Sequence, residues 1–238
     1  MPRQKISYDS RYEDHQLHNG RNGFIVNITQ GYHDRLEYMV GKHNQVAVSH
    51  LSVTAPDGVD SVQLTKALSG SLDSLKKKLK KEKTEAQIGW VLEATNSGKA
   101  EHKPHIHIGI IKNASKSQKG MGDAKYLDKI LTKRLGAPSR TGYVRCNPPD
   151  LEKYDQQPEC NTPNNMALKI RRNKPGAVEQ IGNALNWLNY QGKIETKGSA
   201  PHGQREYGFT CLPKDNYKHN DQHELQDEDN SDTDDNQG

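Results

Sequence analysis

No stretch of this 238-residue chain stays apolar for the roughly 18 residues a membrane-spanning helix needs, so no membrane partner is expected. Met1-Pro2-Arg3-Gln4 is not followed by an apolar h-region, which argues against a secretory leader. Cysteine is scarce. Cys146, Cys160 and Cys211 are an odd count without CxxC spacing, so neither a disulfide framework nor a cysteine-rich zinc site is expected. Such a composition suits a reducing cytoplasm. A Walker A pattern (GxxxxGK[ST]) is missing, which leaves a fused helicase unsupported. Internal repeats are missing too. Apolar residues are few, 31% of the chain against 27% charged, enough for one modest core with long polar stretches outside it.

What charge there is lies unevenly. Residues 214–238 set Lys214 and Lys218 against nine acids, a net −7, and the other 213 residues carry 32 basic and 21 acidic side chains, a net +11. A body this basic suits a polyanionic partner such as nucleic acid, with plain solubility as the alternative reading. The chain divides into a loose, flexible polar arm over 1–22, a folded domain over 23–213 and an acidic tail over 214–238. From Asp221 onward the tail is too poor in apolar residues to fold and is expected to be disordered.

Phe24 to Thr29 is rich in β-branched residues and reads as a strand, and Leu36 to Val40 as a short helix. Gln45 to Thr54 reads as a strand stopped by the turn Pro56-Asp57-Gly58. Val62, Leu64, Leu68, Leu72, Leu75 and Leu79 recur mostly at spacings of three and four, an amphipathic helix ending in a lysine run from Lys76 to Lys83. Those cations favour the helix dipole and form either a solvated face or a stripe toward DNA. Gln87 to Ala94 and His105 to Ile111 read as the two strands of a hairpin with an enlarged loop. Helices follow over Ala124–Leu135 and from Ala177 to about Gly192, separated by a Pro- and Asn-rich stretch, 146–176, without a clear pattern.

His105 and His107 are two apart on a strand, so both side chains point to one sheet face while Ile106 and Ile108 enter a core. Two imidazoles side by side can grip one divalent metal, and a carboxylate ligand widens the choice from Mn or Zn to Mg. Glu93, on the pairing strand, is the leading third ligand; Glu101 and His102 are others. Two solvated histidines on an exposed face are the plain alternative, and chance pairs are easy with 11 histidines in the chain. A histidine-triad phosphoryl-transfer motif would need a third histidine where Gly109 stands.

In the last helix, Val178, Ile181, Leu185 and Leu188 define a buried face, and at about 100° per residue Tyr190 falls opposite Ile181. Lys193 lies one turn on. A phenol titrates at about 10, so a tyrosine nucleophile gains from a nearby ammonium and a Lewis acid on its target. Tyr126-Leu127-Asp128-Lys129 has the same Tyr-x-x-Lys spacing.

These pieces together resemble the HUH endonucleases, in particular the inovirus-type replication initiators and related prophage proteins. The resemblance spans residues 45–211. It covers Ser52-Val53-Thr54, Trp90-Val91-Leu92-Glu93, Pro104-His105-Ile106-His107-Ile108-Gly109, Leu188 to Lys197 and Arg205-Glu206-Tyr207-Gly208-Phe209. The Leu188–Lys197 block favours Tyr190 over Tyr126. The resemblance implies an α+β fold, a central antiparallel sheet carrying the His-x-His strand with helices packed on it. It implies that the protein nicks and rejoins single-stranded origin DNA to start rolling-circle replication, through a covalent 5′-phosphotyrosine. Tyr190 would be the nucleophile, Lys193 its helper, and His105, His107 and Glu93 the ligands of Mg or Mn. Host replication proteins in a bacterial cytoplasm are the expected partners. The alternatives are a relaxase or transposase of the same superfamily, or a basic DNA-binding protein without catalysis. Relaxases usually place the tyrosine before the histidines, the reverse of the order here.

Overall fold

A computed structural model describes residues 5–9, 11–13, 15–17, 23–93, 103–115, 120–136, 143–147, 167–192 and 205–213. The chain begins with the short strands β1 (Ile6–Ser7), β2 (Arg11–Tyr12), β3 (His15–Gln16) and β4 (Phe24–Ile25). α1 (Val26–Lys42), β5 (Gln45–Thr54), α2 (Ser61–Lys81), β6 (Ala86–Glu93) and β7 (His105–Asn113) follow. Then come α3 (Gly120–Leu135), β8 (Val144–Asn147), β9 (Leu168–Arg171), α4 (Ala177–Asn189), a single 3-10 turn (Tyr190–Gly192) and β10 (Tyr207–Phe209).

Six strands form one antiparallel sheet in the order β10-β6-β7-β5-β8, with β9 also pairing β5 beyond the stretch that β8 covers. The period of two along each strand sorts its residues between two cores. Leu51, Val53, Ile88, Leu92, Ile106, Ile108 and Ile110 pack under α2 and α3. Val46, Val48, Val91, Ile111, Leu168 and Ile170 pack under α1 and α4. This is a mixed α+β protein, and no helix among the described residues is long and apolar enough to cross a membrane.

The turn after β5 closes as its sequence indicates, with Gly58 at φ +77°, a region that a residue without Cβ enters freely. Asp60 then caps α2: its carboxylate accepts from Gln63 N at 2.7 Å, and the Gln63 side chain accepts from Asp60 N at 3.1 Å.

Three expectations are corrected. Only Phe24–Ile25 of the stretch read as a strand is extended, and from Val26 the chain is helical. Ile28, Tyr32, Leu36, Met39 and Val40 form a buried stripe at helical spacing, and that burial outweighs the β preference of Ile28 and Thr29. The arm over 1–22 is attached where it is described: β1 pairs β4, Leu17 is buried, and Tyr12 packs against the α1 core. Val178 is 75% exposed, in the first turn of α4, whose packing against the core starts at Ile181 and whose fully buried residues start at Ala184.

Candidate metal centre

Register decides which side chains meet. Glu93 pairs with His105 across β6 and β7, and His105 pairs in turn with Thr54 of β5. One step along the same face, His107 pairs with Val91 on one side and Ser52 on the other. Paired residues project to one side of a sheet, so Glu93, His105 and His107 share the α1/α4 face, at the end of the sheet that those helices leave open.

Glu93 Oε2 lies 2.6 Å from His105 Nε2 and 3.3 Å from His107 Nε2. All three ligand atoms fall within 4.8 Å of one another. Glu93 and His107 are buried, and His105 is 28% exposed, so the centre opens to solvent on one side only. Two neutral imidazoles and a carboxylate, with one side open, match the donor chemistry and partial coordination of catalytic divalent-metal centres. The residues present fit such an ion.

A third histidine, which sequence reasoning missed, supports the pair. His50 is buried on β5, and its Nε2 sits 3.0 Å from His107 Nδ1. If His107 is to offer Nε2 as a ligand, its hydrogen must be on Nδ1, where it donates to His50. His50 then carries its own hydrogen on Nδ1. Its ring is backed by Trp187 of α4, edge-on at 5.7 Å between centroids. A signal for His50 was present in β5. On its even-numbered face, Val46 and Val48 give way to His50, Ser52 and Thr54, marking where cover by helices ends.

Tyr190 lies 83 positions beyond His107 in sequence, yet its ring centroid is 6.0 Å from that of His107 and 6.2 Å from that of His50. Its neighbours hold it there. Asn189 Oδ1 accepts a hydrogen bond from Thr29 Oγ1, and Gln191 Oε1 accepts one from the Tyr32 hydroxyl. Asn189 and Gln191 are buried against α1, while Tyr190 between them is 43% exposed and faces the histidines.

The close approach of these helices depends on two facing glycines, Gly89 and Gly109. A Cβ on either would come within 2.6 Å of the Tyr32 ring, and one on Gly109 equally close to Leu188. Tyr126 is on the opposite side of the sheet, its hydroxyl donating to the Ser74 carbonyl of α2 at 3.4 Å. The lysine run of α2 lies beside Thr84, Glu85 and Ala86, at the end of β6 remote from Glu93. Arg145, exposed on β8, pairs with Ser52 and so continues the row of His107 on the same face. Lys193, Glu101 and His102 lie outside the described residues. Comparison with models of protein families finds no match, and comparisons with curated proteins and with solved structures find none either.

Proposed function

We propose that the protein is a metal-dependent DNA nickase of the HUH type, cutting one strand through Tyr190 and starting rolling-circle replication. The observation that carries this reading is the convergence of Tyr190 with Glu93, His105 and His107 on one sheet face. A metal-ligating pair alone would serve many functions. A partly exposed phenol beside it, on a turn pinned from both sides, suits attack on a phosphodiester.

In this reading Glu93, His105 and His107 hold the ion, and His50 fixes the ring and tautomer of His107. When bound, a divalent ion such as Mg or Mn supplies Lewis-acid polarisation of a phosphate oxygen. The Tyr190 oxygen forms a bond to phosphorus and gives up its proton. The bond from phosphorus to the 3′-oxygen breaks, and that oxygen takes a proton to leave as a free hydroxyl. The new phosphotyrosine conserves the energy of the broken diester, so the same steps in reverse rejoin the strand. Arg145, in the row of His107, is placed to meet a neighbouring phosphate.

The test is a nicking assay on single-stranded origin DNA with Mn²⁺. Tyr190→Phe is expected to abolish nicking and leave DNA binding largely intact, and chelation by EDTA to stop the wild-type reaction. Undiminished nicking by Tyr190→Phe would remove the nucleophile, and cleavage indifferent to EDTA would remove the metal.

A further inference from the structure

A second cluster of metal-ligating groups lies away from the first and shares no residue with it. His33 of α1 is 3% exposed. Glu37, four residues on, stands on the same side of the helix. Glu13 reaches the same nitrogen from the turn between β2 and β3, whose strands pair Tyr12 with His15. Glu13 Oε2 is 3.1 Å and Glu37 Oε1 3.7 Å from His33 Nε2. The three ligand atoms lie within 4.8 Å of one another.

The charges there do not balance. An imidazole nitrogen carries one hydrogen, which Glu13 can accept, while Glu37 at 3.7 Å is beyond hydrogen-bond reach. Two carboxylates thus converge on one imidazole, and neither has a lysine or arginine partner among the described residues. The rings of Tyr12, at 5.4 Å, and His15, at 5.8 Å between centroids, pack against the His33 ring.

We propose that Glu13, His33 and Glu37 form a second divalent-cation site that clasps the β2–β3 hairpin to α1. One imidazole and two carboxylates suit a first-row ion such as zinc or manganese. The site joins two parts of the chain and carries no residue placed for chemistry, so its role is structural.

The test uses the metal-free full chain, dialysed against Zn²⁺ and separately against Mn²⁺, with bound ions counted by elemental mass spectrometry. Glu93→Gln disables the first centre and should still retain one ion per chain. Adding Glu13→Gln and Glu37→Gln, both at exposed carboxylates, should lose it. The same ion should raise the thermal midpoint of Glu93→Gln and leave that of the triple variant unmoved. Glu93→Gln with Glu37→Gln alone serves as a milder second variant. A Glu93→Gln protein that binds no ion, or a triple variant that binds as many, overturns the clasp. The wild-type chain should hold two ions, and a Glu93→Gln variant that still holds two counts against the first centre and the nickase reading, not against the clasp, so the two failures are distinguishable.

Discussion

The two faces of the six-stranded sheet come from the same strands and differ in what covers them. Along β7, Ile106, Ile108 and Ile110 are fully buried beneath α2 and α3, and alternate with His105, His107 and Gly109 on the other side. The α2/α3 face is mainly apolar, with Ser49 and the buried pair Lys112 and Asp123 among its polar members. The α1/α4 face is half covered. Where α1 and α4 press on it, Gly89 and Gly109 make room for Tyr32 and Leu188, and where they end, the strands turn to His50, Ser52, Thr54, Glu93, His105 and His107. One face holds the sheet rigid, and the uncovered half of the other displays a constellation on that rigid base.

Substitutions one position apart on β7 should separate these roles. Ile108→Ala should cost about 2–5 kcal/mol of stability in denaturant titration, by lost burial and a cavity. The molecules still folded should bind Mn²⁺ normally. His107→Ala should do the reverse: in a Glu13→Gln/Glu37→Gln background, where only the Glu93 centre remains, it should abolish Mn²⁺ binding with a smaller change in stability. Equal effects of the two on both measurements would erase the distinction between faces.

A smaller effect is expected at His50, which touches the centre only through His107. His50→Ala should weaken Mn²⁺ binding by roughly 10–100-fold, as loss of an outer-shell partner does. His50→Gln, whose amide oxygen can accept the same hydrogen bond, should recover part of that loss. Calorimetric titration reads both, and unchanged affinity in His50→Ala would mean that the tautomer is set otherwise.

The smallest effect concerns how dry the covered face is. Cys146 of β8 pairs with Leu51 and lies toward α2 and α3. Burial, with Asp123 adding to it against Lys112, pushes its thiol up to about 12. Little thiolate should exist near neutrality, and alkylation by iodoacetamide should be slow and climb with pH toward that value. Exposed Cys211 serves as the internal comparison, with peptide mass spectrometry assigning each product. Alkylation of Cys146 that is rapid at neutral pH would show this face to be open.

Elements whose burial pattern is local were legible in the sequence. β5, α2, the β6–β7 hairpin and α3 follow from alternation or from spacings of three and four. β8, β9 and β10 were not legible. Val144–Asn147 and Leu168–Arg171 are four residues each in or beside a Pro- and Asn-rich stretch, and they become strands because the edge of β5 not taken by β7 is free to pair with both. α1 was read only in its last part, since Val26, Ile28 and Thr29 carry a β signal that burial overrules.

The site was legible in part for the same reason. Alternation on one strand places His105 and His107 together, and hairpin pairing adds Glu93, which the register puts opposite His105. The approach of Tyr190 depends on α4 lying across the sheet, a non-local fact. Sequence spacing alone left Tyr126 an equal candidate, and its place between α2 and α3 sets it on the other face.

The most direct measurement is mass spectrometry of the full chain after incubation with single-stranded origin DNA and Mn²⁺. The expected product is one oligonucleotide linked through its 5′-phosphate to the peptide containing Tyr190. An adduct on Tyr126, or cleavage with no covalent adduct on any tyrosine, would contradict it.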